Sequence, residues 1–423
     1  MWNFFYDKSI LCSYKTKSRK YLYNESVTIE REDEVENIFR LSDDWGSLKE
    51  YGTIVPFGVG RIGRRVIPAL MKEFDVPFLI DNGKHTKEVY GLDVLDLMHA
   101  ADYLREKHLK VVVTTVFYAY EKIKQEMEAL GFRENRDFCI LERFAEEWNL
   151  RWKNRCVLSK IDTVITSRCT LKCKNCNLFI GHAPIQYDID FIRLRNNFDV
   201  FFDSVDYVYE YTLLGGEPFI HKNIAEIISY LGNTYGERIG QINVISNGTV
   251  VPSDDVVELL KEFHITVHIS DYTCVVDYKG NLEKLRKKLL LSDIEFYVIP
   301  NNTWKDVIYP KEGYHTDNPR HHMLLCGHST HSVADGKLYW CDPAFAAECF
   351  TGFVSKEDDF IDLAANKRNY SKYEATLNII KYLLGDVNER GYMSICEKCA
   401  GVGSDNELTV LAGEQMEKGS MNP

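Results

Sequence analysis

The sequence predicts an α/β chain, and three observations carry that reading. Short apolar runs alternate with helical patterns from Val157 to Pro300, the arrangement of parallel βα units. A second alternation fills about 51–149, and its first strand and helix are joined by Gly58, Gly60 and Gly63. Three cysteines, Cys169, Cys173 and Cys176, follow directly on the apolar run that begins near Val157. At 423 residues the chain is too long for one core and is expected to hold two or three domains.

Residues 1–50 read as a polar preface with a helical pattern over Val35 to Leu41 and no chemistry. From there Thr53 to Phe57 is a short strand leading into G-x-G-x-x-G, and a helix is expected from Arg64 to Phe74, with Pro68 inside it. Val76 to Ile80 gives a second strand ending at Asp81, about where a ribose-binding acid belongs. Lys110 to Thr115, the helical Tyr120 to Leu130 and Phe138 to Leu141 complete the unit. With Phe78 to Asn82 and Val112 to Thr115, it resembles the small Rossmann-like domains fused to enzymes of surface-polysaccharide and nucleotide-sugar biosynthesis. That resemblance implies a nucleotide or nucleotide-sugar at Gly58, Gly60, Gly63 and Asp81. The same glycines also serve a tight turn and close helix–strand packing without any ligand.

In the next unit, about 150–300, Val157 to Thr166 reads as a buried strand that delivers the cysteine loop at its C-terminal end. An amphipathic stretch from Phe191 to Phe202 precedes the alternating Tyr207 to Tyr211, which runs into Gly215-Gly216-Glu217-Pro218. Gln241 to Ile245 ends in Ser246-Asn247-Gly248, Ile265 to Asp271 carries Ser270 at its polar end, and Glu295 to Ile299 is one more strand. Helical stretches at Asp254 to Phe263 and Leu282 to Leu291 separate them. Chemistry in parallel barrels sits at C-terminal strand ends, where each of these motifs falls.

The C-x3-C-x2-C spacing, the GGEP turn and the Ser-Asn-Gly turn, in that order, resemble the radical S-adenosylmethionine (SAM) superfamily. The resemblance implies a partial (β/α) barrel over about Val157 to Pro300. It implies that Cys169, Cys173 and Cys176 bind a 4Fe–4S cluster whose fourth iron takes SAM. Gly215, Gly216, Glu217, Ser246, Asn247 and Ser270 would contact SAM, with Glu217 accepting from its amino group. Reductive cleavage would then give a 5′-deoxyadenosyl radical, with electrons from a donor such as flavodoxin or ferredoxin. A structural zinc loop is the competing reading of the cysteines, and it calls for a fourth thiolate or imidazole.

Beyond the barrel, about 301–423, Cys326, Cys341, Cys396 and Cys399 remain. Ser332 to Cys341 reads as a hairpin with an Asp-Gly turn, which folds Cys341 back towards Cys326. The pattern resembles the twitch extension, a shortened SPASM domain, and that resemblance implies an auxiliary 4Fe–4S cluster on these four thiols. A four-cysteine zinc site has the same ligand count. Cys12, Cys139 and Cys156 read as packed thiols. Cys274, after the Ile265 to Asp271 strand, is a candidate hydrogen-atom donor by analogy with radical SAM epimerases. The histidines His315, His321, His322, His328 and His331 read as a polar loop.

Twelve cysteines without a signal peptide point to reducing, cytoplasmic conditions rather than a disulfide framework. No apolar run is long enough to span a bilayer. A net charge of −12 speaks against a nucleic-acid substrate. The resemblances to radical SAM enzymes, the twitch extension and Rossmann-like domains imply hydrogen abstraction from a small molecule, a sugar or nucleotide-sugar undergoing dehydrogenation or epimerisation. A peptide-modifying maturase and a non-catalytic iron–sulfur sensor or scaffold are the alternatives.

Overall fold

A computed structural model describes residues 39–49, 52–83, 87–115, 117–326, 330–403 and 405–417. The helical pattern at 35–41, His328 and Cys12 fall wholly or mostly outside the described residues. The fold is mixed α/β with two largely parallel sheets. In the first sheet, β1 (Ile54–Phe57), β2 (Leu79–Ile80), β4 (Leu92–Leu95), β5 (Lys110–Val113) and β6 (Phe138–Ile140) are parallel, in the order β4-β2-β1-β5-β6. β3 (Glu88–Val89) adds an antiparallel edge next to β4. β1 and β5 are buried on both faces, which is why they read as unbroken apolar runs rather than alternating ones.

The helix after β1 runs Arg61–Glu73, straight through Pro68. Pro68 has no N–H to offer the Arg64 carbonyl four residues back. The Tyr90 hydroxyl donates to that carbonyl instead, so the helix loses no acceptor at its proline. The Leu97–Lys107 helix and the π-helical turns at Phe144–Lys153 carry no comparable sequence signal. Glu147 in those turns is fully buried and accepts from the backbone N–H groups of Arg40 and Leu41 and from Arg143 and Arg151.

The second sheet has eight strands. β7 (Val157–Thr166), β8 (Tyr207–Gly215), β9 (Ile239–Ser246), β10 (Thr266–Asp271) and β11 (Phe296–Pro300) lie parallel in sequence order. On the other side of β7 follow β13 (Ser332–Ala334), β14 (Lys337–Tyr339) and β15 (Phe360–Asp362). The β13–β14 hairpin turns through Asp335 and Gly336, both at positive φ, as an Asp-Gly turn requires. A separate antiparallel pair joins β12 (Thr303–Lys305) to β16 (Thr409–Leu411).

The sheets do not separate from one another: Phe39–Pro423 clusters as one compact unit. The Arg61–Glu73 helix helps to join them. Its Arg65 is buried, pairs with Glu210 of β8 at 2.8 Å and meets the His268 ring nitrogen of β10 at 2.5 Å. Among the described residues no helix is long and apolar enough to cross a membrane.

Candidate functional site

The first thiol site is assembled at the C-terminal ends of β7, β8 and β9. β7 stops at Thr166, and the chain turns into the loop bearing Cys169, Cys173 and Cys176. The Gly-Gly turn after β8 lies directly on that loop. Gly216 N donates to Thr166 O and Glu217 N to Arg168 O, both at 2.9 Å. A Cβ on Gly216 would sit 2.0 Å from Arg168 O and 2.9 Å from Cys169 Cβ, so only glycine allows this approach.

Glu217 is fully buried. Its carboxylate accepts from the Ser246 hydroxyl at 2.9 Å, from Asn247 N at 2.8 Å and from Phe219 N at 3.2 Å. Burial pushes its pKa up to about 7 against these hydrogen bonds. Asn247 then reaches the cysteine loop: its Nδ2 donates to Cys169 Sγ at 3.4 Å and to Thr170 Oγ1 at 3.1 Å. The cysteine loop, GGEP and Ser-Asn-Gly turns thus form one hydrogen-bonded cluster, although sequence separates them widely. Ser246 and Asn247, expected to face SAM, here also hold Glu217 and Cys169. Ser270 lies half-buried near the C-terminal end of β10.

Burial pushes the Cys169 thiol up to about 12 and the Cys173 thiol up to about 11, and Cys176 rises as well. Buried thiols of this kind stay protonated until a bound cation takes the thiolate and the proton is released to solvent. N–H groups already point at the sulfurs: Leu171 N and Asn247 Nδ2 at Cys169, and Gln415 Nε2 at Cys173, each at 3.4 Å. Donors aimed at sulfur and a glycine cradle beside Cys169 fit an iron–sulfur group held by thiolates. Arg168, ion-paired with Asp188 at 2.8 Å, and Thr170, which meets the Thr249 hydroxyl at 2.5 Å, brace the loop; neither carries a motif signal.

The second thiol site lies in the C-terminal region. Cys326, Cys341, Cys396 and Cys399 all line one small cavity of about 20 Å³, walled otherwise mainly by apolar groups such as Met323, Trp340 and Ile395. Cys326 ends the Pro319–Cys326 helix, Cys341 precedes the Asp342–Thr351 helix, and Cys396 sits in a short turn at Ser394–Glu397. Gly401 N donates to Cys399 Sγ at 3.4 Å and Val402 N to Cys326 Sγ at 3.5 Å. Gly401 has φ +63°, and a Cβ there would fall 3.0 Å from Cys326 Sγ. His322 closes the wall, with Nδ1 on Asp405 at 2.6 Å and Nε2 on the Cys399 carbonyl at 2.8 Å. This donor set also fits an iron–sulfur group. Among the described residues no three His, Cys, Asp or Glu side chains gather into a site for a single metal ion.

Cys274 is exposed and donates to Asn301 O at 3.5 Å. Cys139 and Cys156 are fully buried. At the first sheet, a Cβ on Gly63 would lie 1.8 Å from Gly58 O, while Gly60 has nothing within 4 Å. Asp81 spends one oxygen on the glycine turn, accepting from Val59 N at 2.6 Å, and the other on its own loop, accepting from Gly83 N at 2.7 Å. The acid expected at a ribose therefore closes the glycine turn in this structure.

No protein-family model and no curated protein matches the chain. Among solved structures, it is similar to BtrN in complex with AdoMet and 2-DOIA, at 13% identity over 59% of this chain and 96% of that one, with a TM-score of 0.34. It is also similar to native anSMEcpe with bound AdoMet and Cp18Cys peptide (16% identity, 34% of this chain and 44% of that one, TM-score 0.28). Streptococcus suis SuiB bound to precursor peptide SuiA matches at 16% identity, 48% of this chain and 44% of that one, with a TM-score of 0.27. The chain spans 44% of the length of that anSMEcpe structure and of the peptide-bound SuiB structure. Similarity this partial assigns neither fold nor activity.

Proposed function

We propose that the chain is a radical SAM enzyme acting on a small molecule, a sugar or nucleotide-sugar. One observation carries the reading: the three-cysteine loop, Glu217 and the Ser246–Gly248 turn meet in a single hydrogen-bonded cluster at adjacent strand ends. Three thiolates leave one metal position open, which is where a chelating cofactor enters. When bound, a 4Fe–4S cluster and SAM supply a reducible centre and a source of a carbon radical.

The chain's own residues do the rest. Cys169, Cys173 and Cys176 hold the cluster, and the Leu171, Asn247 and Gln415 donors stabilise the charge on two of those sulfurs. Glu217 offers a buried carboxylate for the SAM ammonium, and the Ser246 hydroxyl and Asn247 N–H keep it oriented. Gly215 and Gly216 allow the backbone of their turn to lie against the loop. The five parallel strands β7–β11, with every one of these groups at a C-terminal end, fit the partial barrel that the resemblance implies.

The four-thiol site is proposed to hold an auxiliary 4Fe–4S cluster that exchanges electrons with the substrate or relays them. A nucleotide-type ligand or a docking role is proposed for the first sheet, and of the three glycines in its turn (Gly58, Gly60, Gly63) only Gly60 has nothing within 4 Å of an added Cβ. Anaerobic incubation of reconstituted chain with SAM, a reductant and candidate nucleotide-sugars tests the substrate class. Conversion of a sugar in step with 5′-deoxyadenosine is the expected result. Conversion of a peptide and of no sugar would overturn it.

A further inference from the structure

The chain returns to its first thiol site from far downstream. After β16, Lys174 N donates to Glu414 O at 2.7 Å and Met416 N to Lys172 O at 2.8 Å, so Cys173 and Gln415 face each other as an antiparallel bridge. The Gln415 amide has only one orientation that satisfies its neighbours. Its Oε1 accepts from Lys172 N at 2.7 Å, which turns Nε2 the other way. There Nε2 donates to Gly413 O at 2.7 Å and to Cys173 Sγ at 3.4 Å.

Contacts on either side fix this segment. A Cβ on Gly181 would come within 2.9 Å of Met416 Sδ, and one on Gly413 within 2.9 Å of Tyr272 Cβ. Upstream, β16 is paired with β12, and Asn406 Nδ2 donates to the carbonyls of Asp306 and Gly401. Gly401 is itself bonded to Cys399 Sγ. The segment 405–415 is therefore bonded at Asn406 to Gly401, beside the four-thiol cavity, and at Gln415 to the cysteine loop.

We infer that Gln415 is a positioning residue for the three-cysteine site: it clamps the loop through Lys172 N and stabilises charge on the Cys173 sulfur. The physical reason is that a cluster-bound thiolate carries negative charge, and an N–H aimed at it both favours that charge and raises the reduction potential. The inference rests on the reading of the three cysteines as an iron–sulfur site. No motif marks Gln415, because its partners lie more than two hundred residues upstream.

Gln415→Glu separates the two functions of the side chain. It keeps an oxygen acceptor for Lys172 N and replaces the donor facing Cys173 Sγ and Gly413 O with an anion. In the full-length chain, reconstituted without oxygen, the expected result is roughly 10-fold faster loss of the first site's iron to a chelator. The same variant should show a more negative reduction potential for that site, with the four-thiol site unchanged as the control for folding. Gln415→Leu, lacking all three contacts, should lose this iron at least as fast. Parent-like iron loss and potential in Gln415→Glu would overturn the inference, as would equal loss from both sites. If the parent itself binds no iron that depends on Cys169, Cys173 and Cys176, the underlying reading fails instead.

Discussion

Single residues decide how charge is managed here, and two buried carboxyls differ in the donors around them. Burial raises the Glu217 pKa to about 7 with three donors facing it, and a bound ammonium would favour its anion. Glu217→Gln keeps the shape, removes that charge and turns an amide N–H towards existing donors. It should weaken SAM binding to the iron-loaded chain by about 10- to 100-fold, as expected for loss of one charged hydrogen bond. Equilibrium binding measures this, and unchanged affinity would remove Glu217 from the site. Glu146 is also buried, with one hydroxyl, that of Ser159, at 3.2 Å, and burial raises its pKa to about 8. Between the ordinary carboxyl value of about 4.5 and 8, the unfolded chain holds fewer protons at this position than the folded one. Stability therefore falls as pH rises through that window. Glu146→Gln should gain about 1–3 kcal/mol over the parent at pH 8 and little near pH 5, read by thermal unfolding at both values. The cysteines, Glu217 and the glycines of both turns were legible in the sequence because each is tied to a fixed local spacing. Arg168, Thr170, His322 and Gln415 were not, because their roles depend on partners that only the fold brings near.

At the scale of elements, β1, β5 and β7–β11 are legible, since apolar runs bounded by glycine and polar turns leave few other assignments, whereas the short β3, β4 and β15 carry no such run. The Arg61–Glu73 helix starts three residues before the sequence pattern does, because Arg61, Ile62 and Gly63 belong to the glycine motif; within it, Tyr90 from the β3–β4 turn satisfies the carbonyl that Pro68 frees. The π-helical Phe144–Lys153 stretch was missed because its buried glutamates look like a solvated face. The same helix start gives a prediction about how the two sheets are joined. Arg65 and Glu210 are both buried, so removing one leaves the other uncompensated. Arg65→Met should cost about 3–5 kcal/mol in denaturant unfolding, and the double variant Arg65→Met/Glu210→Leu should recover most of it. A cost below about 1 kcal/mol for the single variant would mean that the pair does not hold the elements together.

For the whole molecule, the sequence pointed to two α/β stretches and a cysteine-containing extension, and the structure has two mainly parallel sheets with the four distal thiols on one cavity. Less legible was how closely these parts are joined. A helix of the first sheet inserts an arginine under the second, and the segment 405–415 is bonded beside the four-thiol cavity and to the cysteine loop. Such joins use isolated side chains and short bridges, which leave no periodicity to read. The central claim is that Cys169, Cys173 and Cys176 hold a SAM-cleaving cluster. It is tested most directly by measuring 5′-deoxyadenosine formed from SAM and a reductant, alongside iron content, in the parent and in C169A/C173A/C176A. The account predicts that the triple variant loses about four irons per chain and all 5′-deoxyadenosine while keeping the iron of the four-thiol site. A triple variant that still produces 5′-deoxyadenosine, or a reconstituted parent that never does, would contradict it.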